Sequence, residues 1–182
     1  MTKMHRIARR FEDRIAEDLG ARRTLMSGGS KFDKADVRSE KRYQATDDGV
    51  VPVSDGVQLR VEAKTTSSGA YTFTAQDWDD LEKAALGAIQ EPVFAVSFVD
   101  AKQDYVLIRA SFAALLGFAA DMPVTIKKSW SLNARRLLLG TQRRRVHLLG
   151  SKRKPVLVVL DYEAFLSALE RLNVQDHSGA PT

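Results

Sequence analysis

The spacing of apolar residues changes several times along the chain between the period of a helix and the alternation of a strand. Residues 4 to 19 carry apolar side chains at helical spacing. A second helix of about 15 residues is predicted from Gln76, with Thr74 and Asp77 at the spacing of a capping box. Strand-like segments lie between and after these helices: "LRVEAKTT", "PVFAVSFV", "YVLIRA" and "KPVLVVL". This order predicts a mixed α/β fold.

The composition limits the class of protein. A chain of 182 residues with 44% apolar composition can bury one core, so we expect one domain with an appended segment. The lack of cysteine excludes disulfides and thiolate-bound zinc. No apolar run approaches the roughly 20 residues that cross a bilayer, and the basic start "MTKMHRIARR" is followed by no hydrophobic signal core. We therefore expect a cytoplasmic protein with no membrane partner.

The positive charge of the chain is concentrated in one segment. Residues 122 to 160 contain no Asp or Glu, so this segment carries +10 while the remainder, with 18 basic and 23 acidic residues, carries −5. Clustered cations of this kind are typical of proteins that bind the phosphates of nucleic acids, although a solvated cationic surface is the alternative. The candidate phosphate contacts are Lys127, Lys128, Arg135, Arg136, Arg143, Arg144, Arg145, Lys152, Arg153 and Lys154.

Two tryptophans differ in their expected roles. Trp130 lies within the basic segment and is a candidate for stacking on unpaired bases. Trp78 lies on the apolar face of the second predicted helix, so we expect it in the core.

The segment "LRVEAKTT" places charged residues inside a predicted strand. Because side chains alternate across a strand, one row of four should face the core while the other row is charged. A half-exposed strand with an adjacent glutamate and lysine is the simplest interpretation. The apolar row is Leu59, Val61, Ala63 and Thr65, and the charged row is Arg60, Glu62, Lys64 and Thr66.

A second carboxylate favours a chemical role for this strand. Asp36 lies in "KADVRS", a predicted strand one hairpin upstream, where it could pair with Glu62. Two carboxylates and Lys64 on neighbouring strands would suit a hard cation, and oxygen ligands favour Mg²⁺ or Mn²⁺.

The motif "SGGSKFDKADV" followed by "LRVEAKTT" resembles the PD-(D/E)XK nuclease superfamily. The order of helix, "SGGS", Asp, Glu-x-Lys, helix and hairpin is similar to archaeal-type Holliday junction resolvases and their phage relatives. The resemblance covers about residues 5 to 116, whereas the insertion at 40 to 57 departs from the archaeal form. It implies a restriction-endonuclease-like mixed central sheet flanked by helices. We predict a nuclease core over 1–118, a basic strand and helix extension over 119–172, and a disordered tail over 173–182.

The resemblance also implies roles for the residues that match the motif. Asp36 and Glu62 match the metal ligands, with the backbone carbonyl of Ala63 as a further contributor; Asp33 is the alternative to Asp36. Lys64 matches the motif lysine, which orients or deprotonates the attacking water or stabilises charge developing on the phosphate.

Three further positions complete the predicted site. Ser30 matches the serine that resolvases place beside the scissile phosphate, with Ser27 as a substitute. The family has a glutamate on its first helix. Glu12 is the candidate for this catalytic and metal-ligand position because it borders the apolar stripe there, and Asp18, on the other edge of the stripe, is the alternative. Thr66 could donate a hydrogen bond to phosphate, or could simply end the strand.

The function implied by the resemblance is hydrolysis of DNA phosphodiesters by an endonuclease that uses Mg²⁺, with Mn²⁺ as a substitute. A Holliday junction resolvase is the first expectation, and its two symmetric cuts imply a homodimer on branched DNA. The alternatives are a nicking, repair or restriction-type nuclease of the same superfamily and a DNA-binding protein of this fold without catalysis.

Overall fold

The computed structural model describes residues 3–23, 37–39, 57–86, 90–118, 122–142 and 144–174. Within these ranges it contains ten strands and five helices. In chain order they are α1 Lys3–Asp18, β1 Ala21–Arg23, β2 Val37–Ser39, β3 Gln58–Thr66, β4 Ala70–Thr74, α2 Ala75–Leu86, β5 Gln90–Phe98, β6 Gln103–Arg109, α3 Ala110–Leu115, β7 Val124–Ile126, β8 Ser129–Asn133, α4 Ala134–Leu138, β9 Arg145–Leu148, β10 Val156–Asp161 and α5 Tyr162–Val174.

Eight of these strands form one mixed sheet in the order β1-β2-β3-β5-β6-β10-β9-β7. β3 and β5 are parallel along their full lengths, and β7 and β9 are also parallel, whereas the other neighbours are antiparallel. A parallel pair needs a crossover, which β4 and α2 supply between β3 and β5. β4 also pairs with β8 in a separate two-stranded ribbon. The predicted fold class, a mixed central sheet flanked by helices, is confirmed.

The sheet has a separate apolar core on each face. α1, α3 and α5 pack on one face, where Ile15, Phe112 and Phe165 meet alternate residues of the central strands. α2, α4 and the β4–β8 ribbon cover the other face, where Trp78 and Leu137 meet the intervening strand residues. The middle of β5 and of β6 is buried without interruption, as expected for strands covered on both faces.

The C-terminal segment completes the central sheet. β10 pairs with β6 on one side and with β9 on the other, and the ring of Tyr162 in α5 contacts that of Phe11 in α1 edge to face at 6.5 Å. The segment predicted as an extension therefore contributes to the same sheet and to both cores. α5 continues to Val174, and the rest of the segment predicted as a tail lies outside the described residues. The predicted insertion over 40–57 lies outside the described residues except for Val57.

A buried ionic network lies between α2, β5 and β6. Arg109 donates from Nη2 to Glu82 Oε1 at 2.9 Å and from Nη1 to Glu91 Oε2 at 3.1 Å. The indole N–H of Trp78 donates to the same oxygen of Glu82 at 3.4 Å. Burial raises the pKa of Glu91 to about 7, because Arg109 only partly offsets the loss of hydration and the charge of Glu82 adds to it.

This shift predicts how stability depends on pH. The folded pKa of Glu91 lies above its ordinary value of 4.5, so the folded state binds more protons between these pH values. The stabilising contribution of the Glu91 carboxyl to the folded protein is therefore fully present below pH 4.5, and it is lost as the pH rises through 7. We expect Glu91→Gln to reduce the loss of unfolding free energy between pH 5 and pH 8, measured by urea denaturation. The exposed Glu170→Gln is the matched control, and equal pH dependence in both variants would contradict the prediction.

Candidate functional site

The Glu62–Lys64 pair lies on the central strand β3, between β2 and β5. Val61 and Ala63 join the core on the α1 side, so alternation turns Glu62 and Lys64 toward the α2 side. The register agrees, because Glu62 lies beside Phe94, a member of the core on the α2 side. The predicted alternation of this strand is confirmed.

The charged row of β3 is buried more deeply than expected. Arg60 is 3% exposed and Glu62 is 7% exposed, whereas the sequence predicted a charged, half-exposed face. The simplest interpretation, a half-exposed strand, does not hold for these two residues, because α2, which belongs to the crossover, packs on this side of the sheet. Burial lowers the pKa of Arg60.

Glu62 and Lys64 form a close ion pair. Lys64 Nζ lies 2.9 Å from Glu62 Oε1, and the lysine side chain remains 37% exposed. The other carboxylate oxygen of Glu62, Oε2, is buried and accepts no hydrogen bond within the described part of the chain. A buried carboxylate oxygen left without a donor is costly, unless a cation or water meets it.

The surroundings of Glu62 are acidic. Burial raises the pKa of Glu62; Lys64 opposes this shift, and the carboxylates of Asp77 and Asp80 on α2 add to it. The pKa of Tyr71 is likewise raised, mainly by burial and then by Asp77 and Glu62. A cation at this place would be attracted by three carboxylates, which together outnumber the ammonium of Lys64.

Sequence reasoning did not include Asp77, Asp80 or Tyr71 in the site. Asp77 was predicted only as a helix cap, and the cap is confirmed: Thr74 N donates to Asp77 Oδ2 at 2.9 Å, and Asp77 N donates to Thr74 Oγ1 at 3.2 Å. The acidic residues in the first turns of this helix could be recognised in the sequence. Their position beside β3 could not, because it depends on how the connection between β3 and β5 crosses the sheet.

The fit to a divalent metal rests on Glu62. Its orphaned Oε2 is a hard oxygen donor, suited to Mg²⁺ or Mn²⁺. Across the described ranges, no three Asp, Glu or His side chains cluster closely enough to hold a metal. The second predicted ligand, Asp36, its alternative Asp33 and the serines Ser30 and Ser27 lie outside the described residues.

The register of β2 bears on the second ligand. Val37, the residue after Asp36, pairs with Val61, the residue before Glu62, and Arg38 pairs with Arg60. The predicted pairing of the "KADVRS" strand with the Glu-x-Lys strand is thus confirmed for its described part.

The first helix lies across the sheet from the Glu62–Lys64 pair. α1 packs on the face formed by Val61 and Ala63, so Glu12, which is half-buried on α1, belongs to the opposite layer. The predicted role of Glu12 in the site stays a prediction. The alternative, Asp18, accepts a hydrogen bond from Tyr162 OH at 3.0 Å and so joins α1 to α5.

Thr66 ends β3 with a local hydrogen bond. Its Oγ1 accepts from Ser68 N at 3.1 Å, which fixes the turn toward β4. This contact is what a threonine at the end of a strand commonly makes. Its predicted phosphate contact stays a prediction.

Trp130 is part of the core on the α2 side. It lies opposite Phe73 in the β4–β8 ribbon and is 7% exposed. The predicted stacking on unpaired bases does not fit this burial, because little of the ring is left for a base to cover. Trp78 is fully buried, as predicted.

The basic residues of the C-terminal segment divide into two groups on the surface. Arg135 and Arg136 are exposed on α4. A second exposed group, here named the basic cluster, consists of Lys127, Lys128, Lys152, Arg153 and Lys154.

The remaining described arginines of the segment are less exposed and so less suited to contact phosphates. Arg144 is half-buried and donates from Nη2 to the carbonyl of Leu137 at 2.9 Å, at the end of α4. Arg145 is half-buried, and Arg143 lies outside the described residues. The phosphate contacts predicted for this segment therefore fit α4 and the basic cluster best.

The fold has a similar counterpart among solved structures. No family model matches the chain, and no curated protein matches it. The fold is similar to that of Hjc, a Holliday junction resolvase from Archaeoglobus fulgidus, with a TM-score of 0.42 and 16% sequence identity. The match covers 71% of this chain and 91% of Hjc. Among the described helices, none is long and apolar enough to span a membrane.

Proposed function

We propose that this protein is a metal-dependent endonuclease that hydrolyses phosphodiester bonds in DNA, with four-way junctions as its preferred substrate. The observation that carries the proposal is the buried Glu62, paired with Lys64 through one oxygen while its other oxygen accepts no hydrogen bond within the described residues. This pair lies on the strand that the motif resemblance assigned to catalysis.

The proposed metal ligands are Glu62 and Asp36, with the carbonyl of Ala63. The support for Asp36 is that its neighbour Val37 pairs with Val61, the neighbour of Glu62. When bound, Mg²⁺ would neutralise charge on the phosphate and lower the pKa of a bound water.

Lys64 is proposed to act on the phosphate or on the attacking water. Its ammonium is held 2.9 Å from Glu62 Oε1 and its side chain is 37% exposed, so the lysine is proposed to contact a substrate without leaving the ion pair. A fixed positive charge at this place would stabilise charge developing on the phosphate oxygens. Ser30 is proposed to contact the scissile phosphate.

The exposed cations of the C-terminal segment are proposed to bind the DNA backbone. Arg135 and Arg136 on α4 and the basic cluster present seven exposed cations. Such contacts position DNA without reading its sequence, as a structure-selective enzyme requires. A twofold dimer belongs to this proposal, because a junction is resolved by two symmetric cuts.

A cleavage assay tests the proposed function. The substrates are a synthetic four-way junction and a linear duplex with the same arm sequences, each with Mg²⁺, with Mn²⁺ or with EDTA. We expect paired cuts in the junction, little cleavage of the duplex and none in EDTA. Equal cleavage of both substrates would favour a nicking, repair or restriction-type nuclease. Binding of the junction without cleavage in either metal would leave a non-catalytic DNA-binding protein.

A further inference from the structure

Two connections between strands bring the basic cluster together. The β9–β10 turn packs on the β7–β8 connection, where Leu149 N donates to the carbonyl of Ile126 at 2.9 Å. Gly150 lies so close to the β7–β8 connection that a Cβ at this position would clash with the carbonyl oxygen of Lys127. The two backbones therefore meet directly, and their five cations occupy one surface.

Asp79 on α2 fixes this surface to the body of the protein. Its Oδ1 accepts hydrogen bonds from Ser151 Oγ at 2.7 Å and from Lys152 N at 3.0 Å. Ser151 is 3% exposed, and Asp79 is half-buried. On the neighbouring connection, Ala75 N, at the start of α2, donates to the carbonyl of Lys128 at 2.8 Å. Both connections are thus held by the first two turns of one helix.

The carboxylate of Asp79 accepts hydrogen bonds from a hydroxyl and a backbone N–H and, in the described part of the chain, not from a lysine ammonium group. Within the described residues, the lysines of the basic cluster form no ion pair, and Arg153 alone lies near a carboxylate, with Nε 3.8 Å from Glu82 Oε2. The turn is therefore anchored through its hydroxyl and backbone, while its cations remain exposed. This arrangement suits a polyanion, because the four lysines of the basic cluster form no ion pair with another described residue.

The anchored surface and the candidate site are both connected to α2. α2 carries Asp79, which holds the turn, and also Asp77 and Asp80, whose charges act on Glu62. The same helix therefore links the basic cluster to the surroundings of Glu62.

We infer that Asp79 is a positioning residue that holds the basic cluster as a preformed surface for the phosphate backbone of DNA beside the candidate site. The inference rests on the proposed function for the identity of the polyanion. Preforming the surface removes the cost of ordering a flexible turn when DNA binds.

Two substitutions of Asp79 separate positioning from charge. Asp79→Ala and Asp79→Asn remove the same negative charge, but only the asparagine keeps an oxygen that can accept from Ser151 and Lys152. We expect Asp79→Ala to weaken DNA binding about five- to tenfold, and the salt slope of log K to become shallower by about one per lost phosphate contact. We expect Asp79→Asn to bind at least as tightly as the unmodified protein.

The measurement is fluorescence anisotropy with a labelled four-way junction in EDTA over a salt series, with circular dichroism as the check on folding. Ser151→Ala is a second variant without a charge change, and it should weaken binding in the same direction. If Asp79→Ala binds as tightly as Asp79→Asn with the same salt slope, or if the unmodified protein binds no DNA, the inference is overturned. Cleavage is absent from this assay, so a protein that binds as expected but never cuts would overturn the proposed function alone.

Discussion

Replacing Glu62 with glutamine is expected to abolish metal-dependent cleavage of DNA while leaving DNA binding intact. Glutamine has nearly the same shape, but it lacks the negative charge that attracts a divalent cation. The buried Oε2, which accepts no hydrogen bond within the described residues, would become part of a neutral amide. The loss in cleavage rate should be at least about a hundredfold, as for the loss of one group that stabilises transition-state charge. Initial rates on a labelled junction measure it.

Lys64→Ala should give the same loss through a different cause. The substitution removes the ammonium 2.9 Å from Glu62 Oε1 and leaves the carboxylate in a buried, acidic environment. Glu170→Gln, on the exposed side of α5, is the control for a lost carboxylate elsewhere. Full cleavage by Glu62→Gln or Lys64→Ala, in protein free of contaminating nuclease, would remove this pair from the active site. Loss of binding along with cleavage would point to unfolding, which circular dichroism detects.

The local features of the fold could be predicted because each is specified by neighbouring residues. The capping box of Thr74 and Asp77 needs only a spacing of three residues, and both of its hydrogen bonds are present. The alternation of Val61, Glu62 and Ala63 likewise follows from strand geometry alone. The candidate pair of Glu62 and Lys64 was therefore visible in the sequence.

The long-range features could not be predicted, because no local pattern specifies which segments meet. β10 pairs with β6 across about 50 residues of chain, so the basic segment joins the sheet. Trp130 is buried because β8 pairs with β4, whereas its basic neighbours suggested a surface role. Asp79 meets Ser151 across a separation of 72 residues, and only the assembled sheet brings these two residues together.

Replacing Arg109 with alanine is expected to be strongly destabilising. Arg109 is the shared donor to Glu82 and Glu91. Its loss would leave Glu91 without this cation and Glu82 with only the more distant Arg153. Breaking a buried ion pair by removing one partner costs about 3–5 kcal/mol. The cost should be largest at pH 8 and smaller at pH 5, because the pKa of Glu91 is about 7 and its carboxyl is then mostly protonated.

Urea denaturation at the two pH values measures the effect of Arg109→Ala, with the exposed Arg171→Ala as the matched control. The double variant Arg109→Ala with Glu91→Gln should recover part of the lost stability at pH 8, because one of the two uncompensated charges is then absent. A cost under about 1 kcal/mol at pH 8, in the range of an exposed ion pair, would show that the network is hydrated. An equal cost at both pH values would show that Glu91 stays ionised, and that its raised pKa does not contribute to the stability of the folded protein.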